Sequence, residues 1–201
     1  MTTQAAPATP SRDLWRLDGP LIAVIVAILL GTAARLVMLT TNIARLESDE
    51  AVTGIMAQRI LDGDFPAYFG IQSYQGALEQ YLQAAVFAVL PDTPLTLRLV
   101  QVGFIIAIAV LVYVLGTRMT GSRWAGALAT GLYCLGPYYS VIKGVRSHGG
   151  YDGALLFGLL AVLVALGLRR QSARAPWMAA ALGLFTGLAI WENYLSAYLL
   201  I

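Results

Sequence analysis

Glu47-Ser48-Asp49-Glu50 gathers three carboxylates and a hydroxyl immediately beyond the first long apolar run of the chain. A carboxylate held there can take a proton from a hydroxyl or amine and so turn it into a nucleophile. Where the centre attacked is a sugar anomeric carbon, nearby negative charge also steadies an oxocarbenium-like transition state. Asp49 and Glu50 are therefore the candidate catalytic residues. The same residues suit a helix start, with Ser48 or Asp49 capping a helix that runs to Leu61 and the acids favoured by its dipole. One side chain can serve both ends.

A second constellation surrounds Gly149-Gly150: Lys143, Arg146, His148 and Asp152. Cations so grouped can hold a phosphate and stabilise the charge left on it as a bond to it breaks. The plainer reading has Lys143 and Arg146 snorkelling from a helix end beside a glycine turn. No spacing of His, Cys and acids resembles a metal site. The sequence calls for no cofactor, and a divalent cation is the one that stays open. Glu79, within Gln75-Gly76-Ala77-Leu78-Glu79-Gln80, sits on the polar side of a short amphipathic stretch, where it can bind a sugar hydroxyl or be solvated. Glu192 lies unusually close to apolar sequence for an acid. Arg98 has two potential partners, one of these acids or a lipid phosphate. The pairs Gly126/Gly131 and Gly183/Gly187 read as close helix packing.

The elements that must position these residues are apolar. The chain of 201 residues is 58% hydrophobic and 12% charged, about half the charged fraction of a soluble domain. That composition is an integral membrane protein's. Apolar runs over 21–39, 95–115, 124–142, 155–168 and 176–190 give about five spans of a polytopic, all-α transmembrane bundle. Within the first run only Arg35 is charged. The positive-inside rule puts Arg12 and Arg16, Arg118 and Arg123, and Arg169, Arg170 and Arg174 on the cytoplasmic side. The segment 41–94 is then one large external loop. Lys143, Arg146 and His148 fall outside as well, against the rule, which suggests an anionic partner there or a loop short enough to break the rule. Val52, Ile55, Met56 and Ile60, then Leu78, Leu82, Ala85, Val86 and Val89, recur at helical spacing, the mark of amphipathic helices lying parallel to the membrane. A turn-rich aromatic segment, Asp64 to Gly70, joins them. The competing topology makes 77–90 a span and reverses every later loop.

Residues 1–19 read as a disordered cytoplasmic tail, and the first run as a retained signal anchor. The chain stops in mid-apolar sequence, so 20–201 reads as the N-terminal part of a larger transmembrane domain. Net charge +2, with scattered basic residues, points away from nucleic acid. Cys134 is the sole cysteine and has no disulfide partner within the chain.

The order of a span, Asp49-Glu50-Ala51, a surface helix, Tyr68-Phe69-Gly70-Ile71-Gln72-Ser73-Tyr74-Gln75-Gly76-Ala77-Leu78-Glu79 and Leu97-Arg98-Leu99 resembles the GT-C superfamily of membrane glycosyltransferases. The likeness is nearest to bacterial relatives of protein O-mannosyltransferases and the lipid A aminoarabinose transferase. Gly149-Gly150-Tyr151 and Gly187-Leu188-Ala189-Ile190-Trp191 also resemble that group. The Pro-Pro pair of those branches is absent where Gly76-Ala77 stands. The resemblance implies a polyprenyl-phosphate-linked sugar as donor and a catalytic acid in the first external loop. Carried onto these positions, Asp49 is the base or acceptor-positioning residue with Glu50 beside it. Lys143 and Arg146 are the implied phosphate contacts, and Glu79, Tyr74, His148 and Asp152 complete the substrate-binding set.

The expected function is thus inverting sugar transfer on the external face of the plasma membrane by a multi-pass enzyme with its N-terminus in the cytoplasm. Its partners would be membrane lipids, the lipid-phosphate donor and an acceptor the sequence does not name. The alternatives are a transporter or flippase for an anionic lipid or solute, or a non-catalytic relative. A transporter should place its ionisable groups near mid-bilayer, whereas these acids cluster at one surface.

Overall fold

The computed structural model describes residues 14–41, 46–70, 72–168 and 173–199. It is predominantly helical, as expected. Helix α1 (Gly19–Leu39) and helix α4 (Pro94–Thr120) are both long and apolar enough to cross a membrane. Proline in the first turn of each costs no intrahelical bond. The side chain of Thr93 caps α4, and Gly121, left-handed at φ +73°, ends it. Between them lie α2 (Ser48–Leu61), a small antiparallel hairpin of β1 (Tyr68–Phe69) and β2 (Gln72–Gly76), and α3 (Leu78–Phe87). The hairpin stands where a turn-rich segment was expected. At ten residues, α3 is about 15 Å long, half the ~30 Å of a hydrocarbon core, so it cannot be a span.

The expected third span is two helices, α5 (Arg123–Cys134) and α6 (Tyr138–Gly144). Proline lacks an N–H and disfavours helix at the residue before it, so Gly136-Pro137 breaks the run. Helices α7 (Tyr151–Gly167), a shorter apolar one, and α8 (Ala175–Glu192) pack on each other, and α7 also packs on α4. Leu21, Val24, Tyr113, Val114 and Ala127 form the core where α1, α4 and α5 meet. Of the expected tail, residues 1–13 lie outside the described part. Leu14 is buried, and its carbonyl accepts bonds from Tyr113 Oη (2.9 Å) and Arg123 Nη2 (3.1 Å).

Helix α3 is built polar side in. Glu79, Gln80 and Gln83 are buried, while Leu82, and Val89 just beyond the helix, are exposed. Water would penalise that arrangement, and a hydrocarbon surround favours it. Helix α2 keeps Met56 and Ile60 inside and leaves Ile55 exposed. Of the glycines read as helix packing, Gly126 is crowded by Thr117 and the Tyr113 carbonyl. A Cβ on Gly131, Gly183 or Gly187 would meet nothing within 4 Å, so only the first serves that purpose.

The first loop is tied across the end of α8. Trp191 Nε1 donates to the Ala67 carbonyl at 3.0 Å, Gln75 bridges to Asn193, and Leu78 N–H donates to Glu192 Oε1 at 3.1 Å. Glu192 thus supplies the acceptor at the α3 N-terminus, whose own cap residue, Ala77, has no side-chain acceptor.

Candidate functional site

Behind that loop, helices α1, α5, α6 and α7 enclose a cavity of about 640 Å³. Its wall includes Glu79, Lys143, Arg146, His148 and Asp152, the greater part of the substrate-binding residues expected from sequence. The break at Gly136-Pro137 makes this possible, because α6 turns aside and presents Lys143. A tight corner at Gly149 (φ +72°) and Gly150 (φ +40°) then starts α7, placing Asp152 in its first turn. Ile105, Leu132, Pro137 and Leu155 supply an apolar side.

Arg35 lines the cavity too, and sequence reasoning gave it no role. It is 2% exposed; Nη1 donates to the carbonyls of Gly31 (3.0 Å) and Cys134 (2.7 Å), while Nε has no partner. None of the salt bridges among the described residues involves it. The signal was present, since a lone charge inside an apolar run marks a functional position by its cost.

Glu79 is almost wholly buried. Its Oε1 accepts from Gln101 Nε2 (2.5 Å), Gln83 Nε2 (3.0 Å) and Ser147 Oγ. Burial pushes its pKa up to about 8; Asp152 and Glu192 add to the shift, and the bonds from Ser147 and Gln83 oppose it. At neutral pH Glu79 keeps its proton, and with Oε1 occupied as acceptor that proton rides on Oε2.

His148 Nδ1 lies 3.0 Å from the Arg146 carbonyl and Nε2 3.4 Å from Lys143 Nζ. A carbonyl only accepts, so Nδ1 bears the hydrogen and Nε2 receives the lysine's. Burial lowers the His148 pKa, and the Lys143 charge lowers it further against the bond to Arg146. The ring is neutral at neutral pH. Arg146 is paired with Glu47. Lys143 lies 5.9 Å from the Tyr139 ring centroid, a cation–π distance.

The acidic cluster divides. Glu50 is fully buried; Arg98 Nε reaches Oε1 at 2.7 Å and Nη2 reaches Oε2 at 2.6 Å, a two-pronged ion pair. Glu50 also accepts from Glu47 N–H at 3.2 Å and Ser147 N–H at 3.4 Å. Arg98's partner is thus an acid of the first loop. Asp49, next in line, is exposed. It lies within electrostatic reach of Tyr74, which packs edge-on against Tyr194 at 5.8 Å and neighbours Tyr151 at the cavity wall. Asp49 and Tyr74 are not part of the cavity lining. No group of three His, Cys, Asp or Glu residues among the described residues is placed to hold a metal ion.

The chain matches no family model, no curated protein and no solved structure.

Proposed function

We propose that the protein is a multi-pass glycosyltransferase that takes its sugar from a polyprenyl-phosphate carrier at the external face of the plasma membrane. One observation carries the reading: a single cavity combines an excess of basic side chains with an apolar side. Arg35, Lys143 and Arg146 stand on its wall against Asp152, which acts electrostatically on Arg35, while Glu47 pairs with Arg146 and burial keeps Glu79 and His148 neutral. An anion joined to hydrocarbon fits that combination. The inverted burial of α3 and the two bilayer-length helices support a membrane setting.

In this reading Asp49 takes the proton of the acceptor hydroxyl or amine as its lone pair attacks the anomeric carbon from the face opposite the phosphate. The bond from that carbon to the phosphate oxygen breaks, its electron pair stays on the oxygen, and configuration inverts. Lys143 and Arg35 stabilise the released charge. Glu79, protonated on Oε2, adds a neutral donor without adding negative charge. Glu50 holds α2 through Arg98 and so holds Asp49 beside Tyr74.

The test is equilibrium binding of a prenyl phosphate to the full-length protein in detergent. Lys143→Ala should weaken binding by about tenfold, the loss of one charge-assisted contact. Equal affinity for wild type and variant would contradict the assignment of the cavity. The broken helix α5–α6 favours a second reading, transport, because interrupted helices recur at carrier sites. Accumulation of anion inside vesicles without sugar transfer would select it.

A further inference from the structure

Arg146 stands on the cavity wall, yet its charge is already met from outside it. Glu47, at the start of α2, pairs through Oε1 with Arg146 Nη1, and its Oε2 lies 3.9 Å from His148 Nε2. One carboxylate thus sets its two oxygens against two neighbouring wall residues. The two partners are held very differently. The Arg146 side chain is 12% exposed and its Nε has no hydrogen-bond partner among the described residues, whereas the Glu47 side chain is 43% exposed. Around Arg146 the backbone is pinned: its carbonyl meets His148 Nδ1 at 3.0 Å, and Ser147 N–H donates to Glu50 Oε1 at 3.4 Å. The backbone of Glu47 is fixed independently of Arg146. Its N–H donates to Glu50 Oε2 at 3.2 Å, and its carbonyl accepts from Ala51 N–H at 3.1 Å. Only the Glu47 side chain has to move for the pair to part. A carboxylate at the edge of water turns away at little cost, while a guanidinium left buried needs another anion.

We propose that Glu47 is an internal competitor for the anion site, holding Arg146 while the cavity is empty and yielding it to the ligand's phosphate. The inference rests on the reading of the cavity as an anion site and adds the regulation of that site. The exchange matters most after transfer. The donor phosphate is esterified to both sugar and prenyl chain and carries one negative charge. The carrier left behind is a monoester, with about −1.5 to −2 at neutral pH. Arg35, Lys143 and Arg146 together would therefore grip the spent carrier harder than the donor. A carboxylate tethered beside Arg146 competes at a high effective concentration. It retakes the guanidinium whenever the phosphate loosens, and so hastens release of the carrier.

Glu47→Gln tests this cleanly, because it keeps the shape of the side chain and removes its charge. Binding of dimethylallyl phosphate, a short monoester, would be measured on the full-length protein in detergent at physiological salt. The proteins compared are wild type, Glu47→Gln, Arg146→Met and the double variant. Asp64→Asn, at an exposed acid of the same loop, controls for net charge. Glu47→Gln should tighten binding by about threefold to fivefold, the worth of a half-exposed ion pair. The same change made in Arg146→Met should bring no such gain, and Asp64→Asn should bring none either. If Glu47→Gln binds no tighter than wild type, the contact is a plain ion pair and the proposal is overturned. A gain that survives in Arg146→Met, or that Asp64→Asn matches, is a general field effect and overturns it too. If neither wild type nor Glu47→Gln binds the phosphate, the anion site itself fails, and that outcome is separate from failure of the competitor alone.

Discussion

Glu50 and Asp49 are adjacent in sequence and opposite in circumstance. Glu50 is sealed against Arg98, while Asp49 is exposed, within electrostatic reach of Tyr74. Removing one partner of a sealed pair leaves the other charge buried, so Arg98→Met should cost about 3–5 kcal/mol in unfolding free energy in detergent. Adding Glu50→Gln to Arg98→Met should recover part of that loss, since the stranded charge is then gone. Glu79 predicts a pH dependence. Its folded pKa of about 8 stands above the ordinary glutamate value, so the folded chain holds a proton that the unfolded chain releases. Stability should then fall as pH rises from about 4.5 through about 8, and Glu79→Gln should flatten that slope. An unchanged slope in Glu79→Gln would show that the acid is not held neutral. At this scale the sequence disclosed which types mattered, but not which carboxylate was free. Arg98 lies 48 positions from Glu50, and only the packing of α4 against the first loop brings them together. Arg35 was visible as a lone charge in an apolar run, yet its place in the cavity depends on the break in α5–α6.

The positions of the helices were legible, because apolar runs and turn residues bound them locally. Three things were not. The hairpin of β1 and β2 is bridged at Gln75 to Asn193, a contact far along the chain. The break at Gly136-Pro137 carries an ordinary proline signal, but it was absorbed into a continuous span because the flanking residues stay apolar. The direction of α3 depends on whether its surround is water or hydrocarbon, which its periodicity leaves open. The corner at Gly149-Gly150 was read as a turn and is one, with a tighter reason behind it. A Cβ on Gly150 would collide with the Glu192 carbonyl, and Cβ atoms on Gly76 and Gly153 would each come within 2.5 Å of a Glu192 carboxylate oxygen. Gly150→Ala should therefore cost at least about 1–2 kcal/mol from its left-handed backbone alone, measured by thermal unfolding. Gly183→Ala, where a Cβ meets nothing, should show no loss.

Around an apolar core, the two ends and flank of the molecule depart from a soluble protein's pattern. Gln75, Glu79, Gln80, Gln83, Gln101 and Glu192 are inside, while Leu29, Leu128, Leu132, Trp177 and Leu184 are outside. The buried polar groups surround the loop, the cavity and the end of α8, so the chain spends its polar residues on one end of the bundle. The exposed leucines of α1 and α5 lie on the bundle's flank, where hydrocarbon would cover them. In the proposed reading, that segregation favours a carrier-bound substrate over a water-soluble one. The central claim is sugar transfer, and the most direct measurement is transfer itself. Membranes containing the full-length protein would be given labelled polyprenyl-phosphate sugars, with wild type compared to Asp49→Asn at matched expression. The account predicts inverted product from wild type and at least about a hundredfold less from Asp49→Asn, the effect of a lost general base. Equal transfer by both would contradict the role of Asp49, and no transfer by wild type from any donor would contradict the account.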